Sequence, residues 1–365
     1  MEVEGEINNF IIVWTVAAAS LCYCHTIGKL IPKGTLRLIF LLPVILLFLL
    51  LPLRLTSIIL GGPSAFFLSW LSTFKLFLFA FGKGPLSPTP PLSQLSLSHF
   101  IPLACLPIRF HQFQIKPKKS HKSKSLVLRM KLLVLLTSKP VVENKERMNQ
   151  KLALFLYSIY MYIALEIILN AVSVLITRML FLGAELDPPF DEPYMATSLQ
   201  DFWGRRWNTT VNRILHPTVY DPVLGTCSLV IGRRWAPLPA IVATFMVSGL
   251  MHELIFYYIK REKRTWEAWE PTWEATWFFL LHGVCLAVEV AIKKATREKW
   301  RLPAAVSGLM AAAFVMATGL WLFVPSLDRC RVDVKAWREC AAFIEFVKNA
   351  CGFLRFSCFS VIIKR

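Results

Sequence analysis

Long apolar runs recur along almost the whole of this 365-residue chain, and they restrict its fold more than any other feature. Eight runs are candidates for membrane spans: 10–30, 36–53, 55–81, 152–176, 235–259, 273–292, 303–324 and 341–363. An α-helix needs about 20 apolar residues to cross the hydrocarbon core of a bilayer. Because lipid offers no hydrogen-bond partners, the backbone of such a run has to satisfy itself by forming a helix. The sequence therefore predicts an all-α polytopic membrane protein with about seven to nine transmembrane helices.

The amino-acid composition agrees with a single polytopic membrane domain. Hydrophobic residues make up 55% of the chain and charged residues only 18%, whereas about a quarter of the residues of a soluble domain are charged. The mean hydropathy is +0.52. Nine cysteines are scattered without metal-ligand spacing, so we expect reduced side chains and no metal site.

The net charge of +18 indicates basic loops at a membrane surface. Cytosolic loops of membrane proteins are rich in Lys and Arg, and the Lys-rich stretch at 116–124 fits that pattern. Alternatively, part of the charge attracts an anionic substrate such as a phosphate-bearing coenzyme. Nucleic acid is excluded as a partner because no nucleic-acid-binding motif accompanies the charge. Basic clusters flank the run 273–292 on both sides, at 260–264 and at 293–297. A single crossing of the membrane would leave only one of these clusters in the cytosol. Either the segment is therefore re-entrant, or one cluster occupies a pocket in the protein.

His252 and Glu253 lie side by side within the apolar run 235–259. Ionisable side chains at membrane depth are costly, and by default they indicate a functional site. Ser248 and Gly249 share the helix face of His252 and would leave space for a substrate beside the imidazole. A transporter with a His252/Glu253 relay is the alternative of another class, although no inverted repeat is visible.

A second cluster, at 199–208, combines aromatic, basic and amide side chains. Asn208 ends it, and an amide at this point is able to stabilise developing negative charge in acyl transfer; Asn is also common as a helix cap. Arg205 and Arg206 lie among tryptophans and either bind phosphate or extend to the membrane surface.

His216 and Asp221 form an H-x-x-x-x-D pattern, which a different, glycerolipid-type acyltransferase superfamily uses. That superfamily has a largely soluble α/β fold, which conflicts with eight apolar runs. We therefore treat this pair as a competing and weaker candidate site.

The segments 199–208 and 248–253 together resemble the plant wax synthase family of long-chain-alcohol O-fatty-acyltransferases. That family includes plant acyl-CoA:sterol acyltransferases and is related to the membrane-bound O-acyltransferases. The resemblance is strongest over 187–258. It implies that His252 is the catalytic histidine and Asn208 its partner. It further implies a substrate- and acyl-CoA-binding set comprising Phe202, Trp203, Arg205, Arg206 and Trp207.

The resemblance implies transfer of a fatty acyl group from acyl-CoA to a long-chain alcohol, giving a wax ester, or alternatively to a sterol. No cofactor is implied beyond acyl-CoA as co-substrate, and the partners are these substrates and the lipids of a membrane, expected to be the endoplasmic reticulum. A catalytically silent relative is a further alternative. We expect three regions: N-terminal transmembrane helices at 1–81, a Pro-rich and basic cytosolic loop with a short interfacial segment at 82–151, and a catalytic membrane region at 152–365.

Overall fold

The computed structural model of this chain describes residues 3–87, 95–107, 147–179, 189–261, 268–296 and 303–363. Side chains are described throughout these ranges except at 170–179 and 350–363. The basic stretch 116–124 and the interfacial segment predicted within 82–151 lie outside the described residues.

Every long regular element in the described ranges is a helix. In chain order they are α1 (Val3–Leu30), α2 (Thr35–Arg54), α3 (Ile58–Ala80), α4 (Leu97–Cys105), α5 (Gln150–Met179), α6 (Leu199–Asp201, continued by the π-helical turn Phe202–Arg206), α7 (Thr209–Ile231), α8 (Pro237–Lys260), α9 (Glu274–Ala295), α10 (Ala304–Arg329) and α11 (Val332–Ile363). Within these residues, eight helices are long and apolar enough to cross a membrane, namely α1, α2, α3, α5, α7, α8, α9 and α10. The predicted all-α multi-pass fold is confirmed.

Three helices differ from the sequence-based prediction. Helix α7 lies in the polar stretch 183–234, where no span was predicted, because His216 and Asp221 interrupt its apolar pattern. Helix α4 lies in the Pro-rich segment expected to be a loop, and it is helical because its apolar face packs into the core of the N-terminal helices. The predicted run 341–363 falls within α11, which is not among the eight candidate spans.

Buried charged groups join the N-terminal helices to the rest of the chain. The Nζ of Lys75 on α3 donates hydrogen bonds to the carbonyl oxygens of Leu103 (2.7 Å) and Leu106 (2.6 Å), which satisfies the C-terminal end of α4. The carboxylate of Glu339 on α11 accepts hydrogen bonds from the backbone N–H of Ile58 (2.8 Å) and the hydroxyl of Ser57 (2.6 Å). Each charge is therefore paired with the unsatisfied groups of a helix end.

Helices α8 and α9 are antiparallel and lie very close together. A Cβ at Gly249 of α8 would lie 2.8 Å from Thr276 Cα, and a Cβ at Gly283 of α9 would lie 2.7 Å from Phe245 Cβ. Residue numbers rise along α8 as they fall along α9, which gives the antiparallel direction. Only glycine permits this separation, so the two positions set the distance between the helices that carry the site.

The structure describes part of the basic clusters that flank the run 273–292. Helix α9 is continuous over 22 residues and is long and apolar enough to cross a membrane. Of the cluster at 260–264, residues 262–264 lie outside the described part of the chain. Arg261, in contrast, is 2% exposed and its Nη2 donates to the carbonyl of Leu53 at 3.0 Å. A member of this cluster therefore sits in a protein pocket.

Candidate active site

His252 lies on α8, and one of its ring nitrogens is held by its own helix. Nδ1 is 2.7 Å from the carbonyl oxygen of Ser248, one turn earlier. A carbonyl oxygen accepts only, so Nδ1 carries the proton in this bond and Nε2 presents its lone pair. No described residue hydrogen-bonds to Nε2, and the side chain retains accessible surface. The geometry thus leaves a free proton acceptor inside a candidate membrane span.

Aromatic rings from three helices surround this imidazole. The ring of Phe279 on α9 stacks on it at a centroid distance of 4.3 Å. Trp70 on α3 makes an edge-on contact at 5.1 Å, and Phe323 on α10 lies at 5.6 Å. The ring contacts make the surroundings of the imidazole apolar, and electrostatic interactions are stronger in such surroundings than in water.

Asn208 is the N-cap of helix α7. Its backbone is left-handed, with φ 38° and ψ 59°, and its Oδ1 accepts a hydrogen bond from the N–H of Val211 at 3.3 Å. The alternative structural role of Asn208 is therefore present in the fold. No hydrogen bond joins Asn208 to His252, and no described residue hydrogen-bonds to its Nδ2. The amide N–H groups of Asn208 remain available to a ligand.

A continuous path of ring contacts connects the two candidate residues. Trp207, next to Asn208, contacts Trp203 at 6.3 Å, and Trp203 contacts Phe279 at 5.7 Å. Phe279 in turn stacks on His252. Trp70 makes a second connection between the two residues. Its ring contacts His252, and it packs in one hydrophobic cluster with buried side chains of α7, the helix that Asn208 caps. The structure thus brings the two motifs into one assembly, with ring layers between them.

The other members of the predicted binding set have distinct environments. Phe202 is buried and stacks on Trp207 at 5.4 Å with an interplanar angle of 18°. Arg206 is held by the protein, because its Nε donates to Asp201 Oδ2 (2.8 Å) and its Nη1 to the carbonyl oxygen of Asp191 (3.2 Å). Burial alone would raise the pKa of Asp201, but this hydrogen bond from Arg206 brings it below its ordinary value. Arg205 is exposed. Arg205 is therefore the arginine of the two that is free to meet an anion.

Glu253 has a structural task, which argues against a His252/Glu253 relay. Its side chain is 3% exposed, and Oε1 accepts a hydrogen bond from the N–H of Thr276 at 3.3 Å, in the first turn of α9. A carboxylate at a helix N-terminus satisfies orphan N–H groups and the helix dipole. The charge of Glu253 is committed to holding α9 against α8.

His216 and Asp221 do approach each other, with Nδ1 and Oδ1 3.2 Å apart. Both side chains are about half exposed, and the ring of His216 contacts the ring of Tyr220 at an interplanar angle of 32°. Their partners in the described residues are local to α7, and neither contacts the rings around His252. This pair is a local, half-exposed side-chain contact within one helix.

His282 is not among the site residues predicted from the sequence, but the structure places it inside the aromatic assembly. It lies on α9, is 0% exposed, and has hydrogen-bond partners on both ring nitrogens. The criterion that selected His252, a histidine in an apolar run, applies equally to His282 in the run 273–292. The missing signal was its contact with Trp203, which is 79 residues away in the chain.

The chain is similar to known proteins over most of its length. The family described as "Membrane bound O-acyl transferase family" matches residues 186–281, which contain both Asn208 and His252. Acyl-CoA--sterol O-acyltransferase 1 of Arabidopsis thaliana is 44% identical over 343 residues, which cover 93% of this chain and 96% of that protein. Long-chain-alcohol O-fatty-acyltransferase of Simmondsia chinensis is 44% identical over 366 residues, with coverage of 97% and 99%. This chain therefore belongs to the plant long-chain-alcohol O-fatty-acyltransferase family, which includes sterol acyltransferases, within the membrane-bound O-acyltransferases.

Proposed function

We propose that this protein transfers a fatty acyl group from acyl-CoA to the hydroxyl of a long-chain alcohol and so forms a wax ester. The observation that carries the proposal is the free Nε2 of His252 within an aromatic site on a candidate membrane span. The 44% identity to a long-chain-alcohol O-fatty-acyltransferase over nearly the whole chain supports the same activity. The membrane is inferred to be the endoplasmic reticulum, where acyl-CoA-dependent lipid synthesis takes place.

In the proposed reaction, Nε2 of His252 acts as general base. It accepts the proton of the alcohol hydroxyl as the hydroxyl oxygen attacks the thioester carbonyl carbon. The tetrahedral intermediate then collapses, the carbon–sulfur bond breaks, and the coenzyme leaves as a thiolate. The imidazolium returns the proton to that sulfur, so the products are an ester and free coenzyme A. The hydrogen bond from Nδ1 to Ser248 fixes the ring orientation and stabilises the imidazolium.

Asn208 acts on the substrate and not on the histidine in this scheme. Its Oδ1 is occupied by the helix cap, while Nδ2 is free of bonds to described residues. An amide donor positioned in this way stabilises the negative charge that develops on the thioester oxygen. The capping bond keeps the amide from rotating, so one contact serves both helix α7 and the proposed oxyanion contact.

The phosphates of the coenzyme are proposed to bind at the end of the α8–α9 pair that lies near α6. Lys294 Nζ donates to the carbonyl oxygen of Arg234 at 2.8 Å, and Lys293 Nζ donates to Gln200 Oε1 at 3.1 Å. Gln200 lies in the turn that leads to the exposed Arg205. Lys293 and Lys294 on α9, Arg234 just before α8 and Arg205 on α6 thus lie on neighbouring segments, as binding of a multiply charged anion requires. Lys293 also pairs with Glu289 Oε1 at 2.5 Å, which leaves Arg205 and Lys294 as the main cations of the proposed site.

Replacement of Arg205 by alanine is expected to raise KM for acyl-CoA about three- to tenfold with little change in kcat. The exposed guanidinium contributes to binding the coenzyme equally before and during the reaction. Initial rates at 50 and 300 mM salt measure the effect, and the difference from wild type is expected to shrink at high salt. Lys151→Gln, which removes an exposed charge at the start of α5, serves as the control. An unchanged KM in the Arg205 variant would place the coenzyme phosphates elsewhere.

A sterol is the second candidate acceptor, because a relative with equal identity carries that activity in its name. The two acceptors are distinguished by expressing the protein in a yeast strain that makes no esters and supplying labelled palmitoyl-CoA with hexadecanol or a sterol. We expect the hexadecyl ester as the main product in wild-type membranes and none with His252→Ala at matched expression. Predominant sterol ester would assign the alternative acceptor, and no ester with either would contradict the proposed function.

A further inference from the structure

His282 is a fully buried polar side chain for which the proposed reaction has no use. It lies within the candidate membrane span α9, at 0% exposure, and is surrounded by the rings of Trp203, Phe278 and Phe314. A buried imidazole without partners would be strongly unfavourable in such surroundings. Here each ring nitrogen has a hydrogen-bond partner, so the imidazole is one member of a chain of hydrogen bonds between helices.

The partners assign the protons of this connection. The indole Nε1–H of Trp203 donates to Nδ1 of His282 at 3.0 Å, because an indole nitrogen only donates. Nε2 of His282 therefore carries the proton and donates to the hydroxyl oxygen of Thr318 at 2.8 Å. The hydroxyl of Thr318 donates in turn to the carbonyl oxygen of Phe314 at 2.7 Å. Each group in this series donates to the next, from Trp203 on α6 through His282 on α9 to Thr318 on α10. The hydrogen bonds therefore link these three helices.

Trp203 is the side chain through which this connection reaches the active site. Its ring contacts Phe279, which stacks on His252, and also Trp207, the neighbour of Asn208. It is thus the ring between the two candidate catalytic residues. A change in its orientation would move the face of Phe279 and the Asn208 segment relative to each other.

We propose that His282 is a positioning residue for acyl transfer: by accepting the indole hydrogen bond of Trp203, it fixes the separation of Asn208 and His252. The inference rests on the proposed function. His282 touches no substrate in this scheme, and its effect is transmitted by one acceptor atom, Nδ1. The bond to Thr318 keeps that atom unprotonated and directed toward α6.

The test compares two variants of similar shape. His282→Asn places an amide oxygen where Nδ1 accepts the indole bond, whereas His282→Leu has the same branching and no acceptor. We expect the leucine variant to lose about 10- to 100-fold in kcat, as misplacement of reacting groups does, with KM for acyl-CoA within about twofold of wild type. The asparagine variant is expected to keep kcat within about fivefold of wild type. Rates are measured on purified protein in nanodiscs, normalised to folded protein.

A double-substitution cycle with Trp203→Phe shows whether the effect passes through the indole. If it does, adding His282→Leu to Trp203→Phe lowers kcat no further. Equal kcat values for the leucine variant and wild type would overturn the proposal, as would equal losses in the leucine and asparagine variants or additive losses in the cycle. Wild type and His252→Gln are assayed beside them. An inactive wild type would refute the proposed function, whereas an active wild type with an equally active leucine variant would refute only the role of His282.

Discussion

Replacement of His252 by glutamine is expected to lower ester formation about a thousandfold while the protein remains folded. Glutamine approximates the size and polarity of histidine but has no group that takes up a proton near neutral pH. The rings of Phe279 and Trp70 keep their contacts with a side chain of this length. The loss is expected in kcat for every acyl-CoA and acceptor, because the base acts on the hydroxyl common to all of them. Single-turnover rates on purified protein measure it.

His216→Gln is the matched control for this prediction. His216 lies on α7, is about half exposed, and pairs with Asp221 at the surface. Its replacement is expected to leave the rate within about twofold of wild type, as for most surface substitutions. Loss of activity in the His216 variant together with an active His252 variant would reverse the assignment and identify the H-x-x-x-x-D pair as the site.

Replacement of Gly249 by alanine is expected to reduce ester formation by more than about 100-fold through displacement of the site. The added Cβ would lie 2.8 Å from Thr276 Cα and 3.3 Å from Thr276 O, both of which are backbone atoms of α9. Backbone cannot rotate away as a side chain does, so α8 and α9 have to separate. Separation of the two helices would weaken the stacking of Phe279 on His252. It would also lengthen the hydrogen bond from the N–H of Thr276 to Glu253 at the start of α9. Activity and the thermal-unfolding midpoint in detergent are measured together.

Gly225→Ala provides the comparison, because a Cβ there meets nothing within 4 Å and the backbone of α7 is helical at this position. Its activity is expected to equal that of wild type, with unchanged or slightly higher stability, since alanine favours helix. If Gly249→Ala were as active and as stable as Gly225→Ala, the close contact of α8 with α9 would not control the site.

Sequence patterns identified the candidate residues, but they did not show which of these residues are held by protein partners and which are free to bind a ligand. Arg205 and Arg206 are indistinguishable in sequence, yet Arg206 is held by Asp201 and Arg205 is exposed. Histidines in apolar runs were equally visible at 252 and 282, and only one was selected. These distinctions depend on partners supplied by distant parts of the chain, for which local pattern carries no signal.

The sequence by itself determined that this protein is a multi-pass helical membrane protein of the plant wax synthase family. Apolar run length and helix formation in lipid are local properties, so they can be read directly from the order of residues. The tertiary structure alone decided that Glu253 caps a neighbouring helix and that Asn208 is both a helix cap and an available donor. It also decided that His282 accepts a hydrogen bond from the indole of Trp203. Each of these results from hydrogen-bonding groups buried by the packing of separate helices, where an unpaired group is costly and the partner is fixed by geometry.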